Sequence, residues 1–193
     1  AWLGPPIADE PAATAMDFIS DYLTRPGSGT LAKALTSDAA AASGTAFSGQ
    51  FVTLRDAGLF YVCVSGPQAD NEGASAALTH AVRGIAERPL PEADFAQAVG
   101  AFRTHLLRDE QTAAAIADNY GWYFVQGSAA YSPSAVDEDL GGDYFARVAE
   151  LTPQLVYHTA QRYLAGPPIV VVGSIGKPGH AASAGKRADR ESH

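Results

Sequence analysis

Five histidines are the first places to look for metal or proton chemistry: His80, His105, His158, His180 and His193. None has a second histidine four residues on. No helical turn therefore offers two imidazoles to one zinc ion with a glutamate base beside them. His105 and Asp109 stand one turn apart, a spacing that predicts a surface hydrogen bond rather than a metal site. His158 falls mid-helix, where an exposed or capping role is expected. His180 and His193 lie in the terminal stretch.

Nucleophiles fare no better. "GSGTL" and "VSGPQ" contain Ser-Gly pairs, but no G-x-S-x-G elbow that would lift a serine toward a base. The single cysteine, Cys63, cannot form an internal disulfide, so the redox compartment stays open. It sits in the apolar run "LFYVCVS" and is expected to be a buried, inert thiol. "GSIGKPG" lacks the Ser or Thr that follows the lysine of a phosphate-binding loop, because Lys177 precedes Pro178. Asp137, Glu138 and Asp139 fit a solvated helix start, where carboxylates meet the positive end of the dipole. The aromatic cluster "NYGWYF", running to Phe124, reads as core rather than as a cofactor box. Taken alone, these residues form no catalytic constellation: no catalytic residue and no metal ligand is expected in this chain.

The charge balance narrows the partners. A formal net charge of −8 and a pI near 4.9 disfavour nucleic acid and anionic membranes, which both demand clustered Lys and Arg. With 193 residues the chain can bury about 70% of its unfolded surface in one substantial domain. No apolar run approaches the roughly 20 residues that span a bilayer, and no signal peptide is visible. The expectation is a soluble protein, cytoplasmic or periplasmic. The first residue is Ala1, not Met, which fits removal of an N-terminal segment.

The elements that would carry these residues follow from periodicity. "AWLGPP" fits the close of a strand arriving from before Ala1. Asp9 and Pro11 read as a cap and first turn, and Ala12, Ala15, Met16, Ile19 and Leu23 recur at helical spacing through Arg25. Pro26-Gly27 stops that helix. Ser28 then caps a bland segment, "GSGTLAKALTSDAAAASGTAF". Strands are expected over about 45–54 and 59–65, joined by "RDAG" with Gly58 available for positive φ. Both faces of the second strand are apolar or aromatic, which suggests helices on one face and a partner on the other.

Helices are then expected over 71–87, with Ala74, Leu78, Val82 and Ile85 on one stripe, and from Pro91, with Phe95, Val99, Phe102 and Leu106. A third carries Ala113, Ile116, Tyr120 and Phe124. A fourth covers about 136–150, interrupted by Gly141-Gly142. The last covers 152–164, capped by Thr152, with Leu155, Val156, Thr159, Ala160 and Tyr163 on its buried side. "PPIVVVGS" reads as a strand, and the stretch after Lys177 as a disordered polar tail. This order of elements gives an α+β domain of two layers.

The ordered set "W-x-G-P-P", an amphipathic helix, "GSGTLAKAL", a hairpin, a long helical stretch and "LTPQLVYHTAQRYLAGPPIVVVGS" resembles the C-terminal, non-zinc domain of the M16 peptidases, the insulinase and mitochondrial-processing-peptidase family. The resemblance covers about residues 1–175, leaving 176–193 as tail. It implies a two-layer sandwich of a mainly antiparallel sheet with helices on one face, the LuxS/MPP-like metallohydrolase fold. In that family one half carries a His-x-x-Glu-His helix and binds zinc. The other binds no metal, and in many members supplies an Arg and, seven residues later, a Tyr that hold substrate.

Laid on that motif, Thr36 stands where Arg is expected and Ser43 where Tyr is expected. The clamp is thus expected to be missing: a short neutral hydroxyl cannot replace a guanidinium's directed donors, nor a serine a phenol's reach. Arg55 precedes Tyr61 by six residues, which we read as a coincidence at a strand end. The resemblance therefore implies a non-catalytic half that closes a peptide chamber. Thr36, Ser43 and Phe47 would lie on the substrate wall. This chain would hold no cofactor. Zinc would reside in a partner, a zinc-bearing M16 domain of the same or another chain; a homodimer is the other arrangement. A structural or assembly protein on the same fold is the alternative, and an unrelated ligand-binding α+β module a third reading.

Overall fold

A computed structural model describes residues 1–25, 29–31, 46–65, 71–109, 112–128 and 142–173. Three strands form one antiparallel sheet in the order β1-β3-β2: β1 (Trp2–Leu3), β2 (Ala46–Val52) and β3 (Leu59–Ser65). Six helices accompany it among the described residues: α1 (Glu10–Thr24), α2 (Asn71–Gly84), α3 (Glu92–Asp109), α4 (Ala113–Gln126), α5 (Gly142–Ala149) and α6 (Pro153–Tyr163). This is the α+β architecture that the element order predicts.

Helix α1 is the centrepiece because its apolar residues occupy most of its circumference. Ala15, Met16, Phe18, Ile19 and Leu23 are all fully buried. Phe18 meets Phe95 and Phe102 of α3 with ring centroids 5.5 and 5.9 Å apart, in the tilted and edge-on arrangements that aromatic quadrupoles favour. Asp9 stands at the N-cap of α1, but its side chain caps nothing. Its carboxylate instead lies 3.5 Å from the Arg162 guanidinium. The expected stripes of α2 and α3 face this core: Ala74, Leu78, Val82, Ile85, Phe95 and Phe102 are buried. Thr152 caps α6 as expected, its hydroxyl accepting from the Leu155 N–H at 3.1 Å.

The hairpin pairs Phe47 with Val64 and Phe51 with Phe60. Alternation puts Phe60, Val62 and Val64 under the helices and leaves Tyr61, Cys63 and Ser65 on the open face. Cys63 is therefore exposed, against the expectation of a buried thiol. An apolar run alone does not say which parity of a strand is covered.

Three further expectations are corrected. Gly58 does not adopt positive φ; among the described glycines only Gly127 does. Gly58 is demanded by crowding: a Cβ there would run into the Phe51 ring and stand 2.9 Å from the Pro5 carbonyl oxygen. The "NYGWYF" cluster is not simply core. Tyr120 and Tyr123 pack against the core, whereas Trp122 and Phe124 on the outward side of α4 stay 44% and 51% exposed. Finally, the residues 167–173 of "PPIVVVGS" form no strand. They meet the sheet through a single residue pair, Ala1 with Ile169, because β1 is too short to give them a longer partner. The expected cap Ser28, the 136–141 half of the fourth helix, the acids Asp137 to Asp139, Lys177 and the 176–193 tail lie outside the described residues.

Candidate functional site

Of the three expected wall residues, Thr36 and Ser43 lie outside the described residues. Phe47 sits in β2, directly opposite Val64. Its ring is half-buried and packs on the core from the helix-covered side of the sheet. Strand β2 is bonded only to β3, so its other edge ends the described sheet.

The chain leading to that segment is tightly placed. Leu31 is fully buried, and Gly29 donates its N–H to the Arg25 carbonyl at 2.8 Å. A Cβ on Gly29 would lie 2.8 Å from the same carbonyl oxygen, closer than van der Waals contact allows. The second glycine of "GSGT" thus lets the chain fold back against the end of α1. Arg55 is also accounted for. Its guanidinium donates to the Val125 carbonyl at 2.7 Å and its backbone N–H to Gln126 Oε1 at 3.0 Å, so it ties the hairpin turn to the end of α4. Tyr61 lies away from it, on the open face of β3.

Under β2, between α1, α3 and α4, lies a polar cavity of about 360 Å³. Asp21 is its anchor, with a side chain only 6% exposed. Its carboxylate takes the Arg25 guanidinium one turn on, and Oδ1 accepts from His105 Nδ1 at 2.9 Å. That bond requires the proton on Nδ1. His105 Nε2 stands 3.8 Å from Asp109 Oδ2, so the expected His105–Asp109 neighbourhood exists, as a longer and weaker approach. Deeper in, Tyr144 donates its hydroxyl to Asp17 Oδ2 at 2.8 Å. Burial pushes the Asp17 carboxyl up to about 7, and the Tyr144 bond only partly offsets this.

A histidine held by a carboxylate can act as an oriented general base when a hydroxyl or thiol stands at its far nitrogen. Among the described residues, the Ser20, Thr24 and Tyr144 hydroxyls that line the cavity are already engaged. Ser20 Oγ accepts from the Phe51 N–H, Thr24 Oγ1 donates to the Ser20 carbonyl, and the Tyr144 hydroxyl is given to Asp17. The cluster joins elements 84 residues apart and is a polar pin between α1 and α3. Sequence reasoning missed it, because nothing local links Asp21 to His105.

The family model described as the peptidase M16 inactive domain matches residues 1–102. The chain belongs to this family. The structural relatives agree with the assignment at the level of fold. A candidate zinc protease from Bordetella pertussis Tohama I superposes with a TM-score of 0.64 at 18% identity, over 84% of this chain and 85% of that one. The inactive peptidase domain from a Bordetella parapertussis protein gives 0.62 at 17% identity, over 84% of each chain. A protease from Helicobacter pylori gives 0.65 at 16% identity, over 84% of this chain but 36% of that one. No curated protein matches the sequence.

The family is one of zinc peptidases, so the fit of a metal to this M16 domain can be asked directly. Among the described residues, no group of three or more His, Cys, Asp or Glu side chains is placed to hold a metal ion. His105, Asp21 and Asp109 come nearest, but Asp21 is spent on Arg25 and Asp109 stands off. The described residues do not fit zinc, and no chemical step through a metal follows from them. Among them, too, no helix is long and apolar enough to cross a membrane.

Proposed function

We propose that this M16 domain works as the non-catalytic half of a zinc metallopeptidase, closing a peptide-binding chamber against a zinc-bearing M16 domain. The observation that carries the reading is the match of residues 1–102 to the family's inactive domain. The partial coverage of the Helicobacter pylori protease supports it, since that chain has room for further domains beside one like this. In this reading the zinc, the activated water and the general base belong to the partner. The present chain supplies wall surface near the outer edge of β2, where Thr36 and Ser43 are the proposed wall residues and Phe47 anchors the strand from the core side. Lacking the Arg and Tyr of the family motif, this wall holds peptide by shape and backbone contact more than by directed charge.

The test is reconstitution. The purified chain is mixed with an M16 domain carrying the His-x-x-Glu-His helix, and cleavage of an unstructured polypeptide is followed with and without a chelator. The expected result is a stable complex, chelator-sensitive cleavage by the pair, and none by this chain alone. Chelator-sensitive cleavage by this chain alone would overturn the reading. A stable complex with no cleavage would favour the assembly role instead.

A further inference from the structure

A small cavity of about 10 Å³ lies where α1, the chain just after β2, the end of α4 and α5 meet. Three buried hydroxyl residues line it, one from each of the first three: Thr14, Thr53 and Ser128. Asp17 and Tyr144 add to its polar lining. Arg147, whose guanidinium pairs with Glu10 at 3.2 Å, borders it as well. Thr53 is the residue that needs explaining. It is only 4% exposed, and among the described residues its Oγ1 finds no hydrogen-bond partner. Its backbone is held, because its carbonyl accepts from the Trp122 indole N–H at 3.0 Å. A valine would fill the same place with no polar atom to hide. Burying a hydroxyl without a partner costs about as much as losing a hydrogen bond.

We propose that this cavity is a site for one internal water molecule, which joins the Thr53 hydroxyl to the Asp17 carboxyl group. Size supports the reading. A single water needs about 10–15 Å³ of such space, so one fits and two do not. Composition supports it too. An internal water makes about three hydrogen bonds, and the hydroxyls of Thr14, Thr53 and Ser128 together with Asp17 supply that number. The Tyr144 bond occupies Oδ2 of Asp17, and the water takes Oδ1. A sodium ion fits less well. It would share its walls with the Arg147 cation, a repulsion that a neutral molecule does not meet.

The site has a route in. Asp17, Tyr123 and Tyr144 line both this cavity and the larger polar one, so the two are neighbours. It also has a structural consequence. Thr14 and Asp17 ride on α1, Thr53 follows β2, and Ser128 follows Gly127, the left-handed cap that closes α4. One water therefore ties the ends of β2 and α4 to α1. Helix α4 has no buried residue of its own, so polar ties at its end carry more of its attachment than they do for α1. This inference does not depend on the proposed peptidase role.

Oxygen-17 magnetic relaxation dispersion on the full chain tests this, because it counts waters held long inside a protein without interference from proton exchange. Thr53→Val keeps the shape of the side chain and removes the hydroxyl. It is expected to lose about one long-lived water relative to the unsubstituted chain. Thr53→Ser keeps the hydroxyl and is expected to keep the water. Thermal midpoints give an independent reading. Thr53→Val is expected to melt about 2–4 °C lower, because the bridge is lost. An unchanged or raised midpoint would mean that the hydroxyl was unpaired in a dry cavity, and overturns the proposal. An equal water count in Thr53→Val, or an equal loss in Thr53→Ser, overturns it too. A midpoint that rises with sodium chloride but not with choline chloride, and no longer does so in Thr53→Val, overturns it in favour of a cation.

Discussion

Oδ1 of Asp21 accepts a hydrogen bond from Nδ1 of His105 at 2.9 Å, across 84 positions of sequence. The same carboxylate holds Arg25. One buried acid therefore fixes the end of α1 to α3. Replacing Asp21 by Ala strands Arg25 and His105 beside a polar cavity and should cost about 1–3 kcal/mol. His105→Gln should cost about 1 kcal/mol or less, since His105 is half exposed and Arg25 still pairs with Asp21. Urea unfolding of the two single variants and the double variant measures this. A coupling of about 0.5–1.5 kcal/mol is expected, and strict additivity would show that the contact contributes nothing.

Asp17 gives stability a pH dependence of its own. Unfolded, its carboxyl titrates near 3.8; folded, burial raises it to about 7. Below pH 3.8 both states hold the proton and the group costs nothing. Between the two values the unfolded chain releases its proton while the folded one must keep it, so this contribution falls as pH rises. By linkage the loss is at most about 4 kcal/mol. Asp17→Asn should remove this slope between pH 4 and 7, which thermal unfolding across that range checks. An unchanged slope would show that Asp17 is charged in the folded protein.

Gly58→Ala should destabilise by about 1–3 kcal/mol, through overpacking against the Phe51 ring and the Pro5 carbonyl. Strain at a left-handed residue is not involved, because φ is not positive there. Phe51→Leu in the same background should therefore recover part of the loss, as read from thermal midpoints. A conformational origin would leave the second substitution purely harmful.

Cys63 should react with Ellman's reagent in the folded chain within about tenfold of the rate in denaturant, since its thiol lies on the open face of β3. Reaction only on unfolding would place that face under a partner or a second copy.

The local elements were legible because each states its own period. Ala12, Ala15, Met16, Ile19 and Leu23 mark α1, and Ala74, Leu78 and Val82 mark α2, with every one of them buried as read. The hairpin showed itself by alternation around "RDAG". What stayed hidden depended on distant partners. β3 carries apolar residues on both parities, so its covered face could not be chosen until α1 and α3 were in place. Ile169 and the valines of 170–172 signal a strand, but whether they pair depends on a neighbour at the other end of the described chain. The polar cluster was the least legible part. His105 suggested only Asp109, four residues on, while its shorter contact is with a helix far earlier in sequence.

The indole N–H of Trp2 donates to the Gly166 carbonyl at 3.1 Å, bridging 164 positions. During synthesis the tryptophan leaves the ribosome 164 residues ahead of its acceptor. Closing so long a loop carries a large entropic cost that only the collapsed middle of the chain can reduce. This clasp should therefore be among the final contacts to form, and until it does the nascent domain carries an unlatched tryptophan for a chaperone to find.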